Sequence, residues 1–178
     1  MPVGDDSVPN GDDIPWCDHD FVISCERAFA EAKEGSSDEF LQECILRLLS
    51  ALVHSRRLKD VKRGIAILEA SLARTNSSLP KGDKLYLLAV GCYRSGDYSR
   101  SRELVDECLR IAPDWRSAQI LKKKVEDRIT QILKKKVEDR IKKDLQGDDT
   151  VIGIVVAGIA AAGVALVGGI VAALARRN

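Results

Sequence analysis

A chain of 178 residues with 45% apolar content can bury one modest core and still leave a separate segment. Its 28 Lys plus Arg are matched by 27 Asp plus Glu, so overall charge gives no electrostatic footprint for nucleic acid. Five cysteines with no CxxC pair and no secretory signal ahead of them read as small core residues of a reducing compartment; Cys17 and His19 fall short of a structural zinc site, and no metal or other cofactor is expected.

Residues 1–15 form an acidic arm. The first twenty residues carry six Asp and no Lys or Arg, and interspersed Pro and Gly make a flexible segment the expectation. Such an arm could also fold onto a basic-rimmed surface and shield it. Residues 16–118 then show helical spacing with almost no strand signal. Phe21, Cys25, Ala28 and Ala32 give one face of a first helix. Ser36 and Glu39 have capping-box spacing ahead of a second, striped by Phe40, Leu41, Ile45, Leu48 and Leu52. Val61, Ile65, Leu68 and Leu72 stripe a third, which fades into the polar stretch TNSS at 75–78. A fourth follows Asp83, a fifth follows the Gly-Asp-Tyr turn at 96–98, and Pro113 with Asp114 opens a sixth. The expected fold class is all-α: a tetratricopeptide-like antiparallel bundle of about six helices plus one C-terminal transmembrane helix.

The repeat reading rests on an internal match. GIAILEASL at 64–72 and SRELVDECL at 101–109 carry apolar residues at corresponding places, 37 residues apart, close to the tetratricopeptide period. In the helix around 85–94, Leu85, Leu88, Ala89 and Cys92 already supply a core face, yet Tyr86, Leu87, Val90 and Tyr93 are apolar as well. A helix apolar nearly all round has two faces to cover. In tetratricopeptide pairs the second face lines a concave groove, to which the preceding copy of the repeat would bring Leu46, Leu49, Val53, Arg56 and Arg57. Tyr86, Leu87, Val90 and Tyr93 would supply contact area there, and Arg94, Arg56 and Arg57 would hold acidic groups of a partner. Packing within the domain is the competing use of the same residues.

Residues 119–146 contain QILKKKVEDRI twice, at 119–129 and 131–141, with Thr130 between the copies. The twelve-residue offset fits no heptad; it adds about 18 Å of helix and turns the copied face by about 120°. One copy is therefore expected to pack and the other to form a charged, solvated stalk. Residues 119–145 hold ten Lys plus Arg and five Asp plus Glu, a pattern readable as a solvated face or as attraction to anionic headgroups.

Residues 151–175 contain no charged residue and would reach about 37 Å as a helix, enough to cross a hydrocarbon core of about 30 Å. A single-pass tail anchor is expected, with the bulk of the chain cytosolic and the basic tip 176–178, including Arg176 and Arg177, acting in targeting. Ala157, Ala161, Ala165, Gly169 and Ala173 place small side chains on one face, where a second transmembrane helix could approach and give a homo-oligomer.

IPWCD at 14–18, ALVHS at 51–55, RGIAILEASL at 63–72, KLYLLAVGCYRSGDYSRSRELVD at 84–106 and the Gly-rich tail together resemble the mitochondrial fission 1 protein family in its plant form. The resemblance implies a tail-anchored outer-membrane adaptor that promotes mitochondrial and peroxisomal fission by recruiting a dynamin-related GTPase, with its accessory factors, through a tetratricopeptide-like groove. It also implies residence on the mitochondrial outer membrane and the peroxisomal membrane, with the chloroplast as a third address, and puts Leu87, Val90, Tyr93 and Arg94 in the groove. The second copy of QILKKKVEDRI departs from the family pattern. The alternative is a tail-anchored tetratricopeptide receptor or co-chaperone binding client peptides at the organelle surface. An enzyme is not expected: two histidines, no phosphate-cradling loop and no nucleophile motif leave catalysis without residues.

Overall fold

The computed structural model describes residues 14–74 and 79–144. The N-terminal residues 1–13, the proposed anchor 151–175 with Ala157, Ala161, Ala165, Gly169 and Ala173, and the tip with Arg176 and Arg177 lie outside them. Among the described residues no helix is long and apolar enough to cross a membrane.

Among the described residues six helices follow one another: α1 (His19–Lys33), α2 (Asp38–His54), α3 (Leu58–Ala73), α4 (Lys81–Ser95), α5 (Tyr98–Ile111) and α6 (Arg116–Asp144). From α1 to α5 each helix packs on its sequence neighbour, and α2 also touches α4, as short loops between amphipathic helices require. The helix starts are chemical. The Ser37 hydroxyl accepts from Phe40 N and the Asp97 carboxylate from Arg100 N, each satisfying an otherwise unpaired first-turn amide. The cap of α2 is thus Ser37, one residue later than the expected Ser36. The α4–α5 turn is made by Gly96, whose φ of 88° is the left-handed conformation that a Cβ disfavours.

Two faces differ from expectation. Phe21 and Phe40 are exposed; α1 buries Val22, Cys25 and Ala32, with Phe29 beside them, and α2 buries Cys44, Leu48, Leu49, Leu52 and Val53. The registers turn because α2 is covered on both sides, by α1 and by α3 with α4, and its apolar run from Leu48 to Val53 faces both ways.

α4 is the centre of the bundle, with nine successive positions from Leu85 to Tyr93 buried except Tyr86. A β-carbon at Gly91 would stand 2.8 Å from Ile65 Cγ1 and 3.3 Å from Val53 Cγ1, so α3 and α4 approach more closely than a side chain there permits. The Ser101 hydroxyl, fully buried, donates to Ala89 O at 2.8 Å and joins α5 to α4.

The described residues divide into two units, the first ending at Ile129 and the second beginning at Thr130. The first copy of the repeated motif belongs to the first unit: Ala118, Leu121 and Val125 are fully buried, and Ile129 packs against the same core. The bundle therefore ends at Ile129 rather than at the expected 118, because Leu121 and Val125 bring core-forming side chains after that boundary. In the second unit Leu133, the counterpart of Leu121, is 55% exposed.

Candidate partner-binding surface

The residues expected to line a groove come from two neighbouring helices and the loop after one of them. α2 supplies Leu49 and Val53, its exit supplies Arg56 and Arg57, and α4 supplies Leu87, Val90, Tyr93 and Arg94. Leu49, Val53, Leu87, Val90 and Tyr93 do gather in one cluster, but all five are buried, and Ile14, 5% exposed, is buried in the same cluster. In this structure these side chains form core together with the residue just ahead of α1.

The stretch Ile14–Asp18 is held there by backbone and side-chain contacts. Cys17 N donates to His54 O at 2.8 Å, and Arg56 N donates to Cys17 O at 3.3 Å, giving a parallel bridge between Cys17 and Ser55. This is the hydrogen-bonding mode of an added extended strand, reduced to one residue pair. The Arg94 guanidinium donates to Ile14 O at 2.8 Å and to Pro15 O at 3.2 Å. Its Cζ lies 3.3 Å from the centre of the Trp16 ring, with Arg56 Cζ at 5.9 Å from the same ring. A cation over an indole face is worth about 0.5–2 kcal/mol according to its exposure. The ion pair from Arg56 to Asp18, at 3.8 Å between exposed groups, adds little.

Loop residues 55–57 are themselves fixed. The buried Ser55 hydroxyl donates to Asp60 Oδ2 at 2.7 Å and accepts from Arg57 N at 3.1 Å, and Asp60 stands in the first turn of α3, where a carboxylate complements the helix dipole. His19 Nδ1 lies 3.3 Å from the same carboxylate, outside hydrogen-bond alignment. His54 closes α2 with Nδ1 at 2.8 Å from Ser50 O. Burial lowers its pKa below 6.5; the Ser50 contact opposes the shift and the Arg94 charge adds to it.

Two expected groove residues lie elsewhere. The Tyr86 ring packs against Trp115 with centroids 5.0 Å apart, because it sits near the start of α4, beside the α5–α6 connection. The exposed Arg57 precedes α3 as its N-terminal flanking residue. Ile14 and Pro15, expected in the flexible arm, are held by the bundle instead. Ile-Pro-Trp, ending in an aromatic inside an acidic stretch, was the available signal that the bundle begins earlier.

Three of the thiols, Cys17, Cys92 and Cys108, have little nucleophilic character. Burial pushes Cys92 and Cys108 up to about 11, and partial burial, followed by neighbouring Cys25, Asp18 and Asp60, raises Cys17, so the reactive thiolate is scarce near neutral pH.

A family model described as the Fis1 C-terminal tetratricopeptide repeat matches residues 82–131, from α4 through the first copy of the repeated motif. Mitochondrial fission 1 protein A of Arabidopsis thaliana is 48% identical over 168 residues, covering 94% of this chain and 89% of the relative. Mitochondrial fission 1 protein B of the same plant is 42% identical over 167 residues, covering 94% and 86%. The crystal structure of fission protein Fis1 from Saccharomyces cerevisiae matches with a TM-score of 0.51 at 22% identity, over 63% of this chain and 85% of that one. That of yeast Fis1 in complex with an Mdv1 fragment containing N-terminal extension and coiled-coil domains matches at 0.55 and 20%, over 73% and 99%. These two solved structures share the all-helical fold, and the identity to the plant proteins extends over nearly the whole length. The chain belongs to the mitochondrial fission 1 protein family.

Proposed function

We propose that the chain is a membrane-anchored adaptor of mitochondrial fission, and that the α2/α4 surface now holding Ile14–Cys17 is where a partner segment docks. The observation that carries the proposal is the mode of that occupancy: an extended stretch held by one strand-like bridge, two carbonyl contacts from Arg94 and an indole under that guanidinium. A surface that takes one extended segment of this kind can take another, and the intramolecular segment competes with it at high effective concentration. In this reading Arg94 and Arg56 receive the partner once Trp16 leaves.

The relatives' names supply the process, and yeast Fis1 with its Mdv1 fragment supplies an example of a protein of this fold in a complex. The finer assignments are part of the proposal: the uncharged run 151–175 is the anchor, Arg176 and Arg177 tip it and Ala157 to Ala173 offer a pairing face, while the outer mitochondrial and peroxisomal membranes as addresses, and a dynamin-related GTPase or its accessory factor as the recruited partner, are what the family resemblance implies.

The test is recruitment in plant cells, comparing parent, Trp16→Ala and Arg94→Ala, with organelle length and GTPase puncta scored together. Trp16→Ala should raise recruitment and shorten the organelles; Arg94→Ala should lower recruitment while targeting persists. Equal recruitment by all three at equal abundance overturns the surface assignment.

A further inference from the structure

Leu121, Val125 and Ile129 recur as Leu133, Val137 and Ile141 twelve residues later. The first trio is core, with Leu121 and Val125 fully buried. In the second, Leu133 is 55% exposed and Val137 and Ile141 are partly exposed. The duplication has copied a core-forming stripe into a helical segment where no described residue buries it.

We propose that the helical segment 130–143 is a lipid-contacting element that lies against an anionic membrane surface. At 100° per residue, Leu133, Val137 and Ile141 form one stripe, flanked at about 60° on either side by Lys134 and Arg140. Lys136 and Lys143 lie beyond Arg140, whereas Asp139 is about 160° from the stripe's centre and Glu138 about 100°. Residues 130–143 carry six Lys plus Arg against two acids. Lys135 and Lys142, about 160° and 140° from the centre, share the opposite face with Asp139. Apolar side chains bordered by basic ones are what an interfacial helix uses: the stripe enters the boundary between headgroups and acyl chains while the stems of Lys134 and Arg140 reach the phosphates. Each basic group near the surface raises association about fivefold.

Position along the chain favours the same occupant, because the segment ends seven residues before the uncharged run 151–175. A second copy of the helix fits less well. Three stripe positions fall short of the three to four heptads of a coiled coil, and two such segments with this excess of positive charge repel. The proposal rests on the anchor reading above.

The test uses the full chain in phosphatidylcholine vesicles with and without phosphatidylserine, with a benzophenone amino acid at Leu133, Val137, Asp139 or Val164. Val164 reports anchoring independently. The expected result is lipid adducts at Leu133 and Val137 in the anionic vesicles, fewer at Asp139, which lies opposite the stripe, at least about fivefold fewer without phosphatidylserine, and a loss in molar salt, where the screening length falls to about 3 Å. Lys136→Glu with Arg140→Glu should reduce the adducts at Leu133 and leave those at Val164 unchanged. Lipid adducts at Val164 with none at Leu133 overturn the proposal and keep the anchor; adducts at neither overturn both. Adducts from Leu133 to a second protein copy overturn it in favour of helix pairing.

Discussion

The Arg94 guanidinium carbon stands 3.3 Å above the centre of the Trp16 ring, joining the helix at the middle of the bundle to the segment that precedes its first helix. Under the proposed adaptor reading, this contact, between residues 78 apart in the chain, couples release of Ile14–Asp18 to exposure of the α2/α4 surface.

Replacing Trp16 by Ala therefore loosens the segment without emptying the core, since the ring is itself 39% exposed. The expected cost is about 1–2 kcal/mol from the lost cation contact and covered area. Hydrogen exchange checks it: the amides of Cys17 and Arg56, bonded across the bridge, should lose protection while those in α5 keep theirs. Equal loss throughout would mean the segment is integral to global stability rather than a separable occupant.

The two copies of QILKKKVEDRI form a built-in control. Leu121→Ala removes a fully buried side chain and should cost about 2–5 kcal/mol, whereas Leu133→Ala, at an exposed position, should stay within about 0.5 kcal/mol. Urea denaturation of the two variants measures the difference, and comparable destabilisation would show that the second copy is buried too.

His54 makes stability depend on pH. Its folded pKa is lowered by burial, and Arg94 adds to the shift, so as pH falls the unfolded chain, titrating near 6.5, binds its proton first. Stability is complete above that value, declines below it, and levels off once the folded pKa has also been passed. The drop in urea midpoint between about pH 7.5 and about pH 5.5 should be smaller in His54→Gln than in the parent.

Gly91 should tolerate no side chain. A methyl group there meets Ile65 Cγ1 at 2.8 Å, and the expected loss for Gly91→Ala, about 1–3 kcal/mol, exceeds the gain of about 1 kcal/mol in helix propensity. Coupling to Ile65→Ala is the check: the double variant should be more stable than the sum of the single effects requires.

Much of the bundle was legible because its signals are local. Gly96 and Asp97 mark a turn through backbone sterics and side-chain capping, the Val61, Ile65, Leu68, Leu72 stripe reports its own helix face, and the run from Leu85 to Tyr93 is too apolar for anything but a central helix. The sequence by itself also determined that a twelve-residue copy cannot present the same face twice, which follows from 3.6 residues per turn. Tertiary structure decided the rest. Leu121 and Leu133 have nearly identical sequence neighbours, so burial of one and exposure of the other depends only on which stands beside α4 and α5. Likewise Leu49, Val53, Leu87, Val90 and Tyr93 are apolar whether they line an open groove or lie under a covering residue. Only the three-dimensional return of Ile14 to α2 and α4 distinguishes those cases, since burial is a property of neighbours far along the chain rather than of the residue alone.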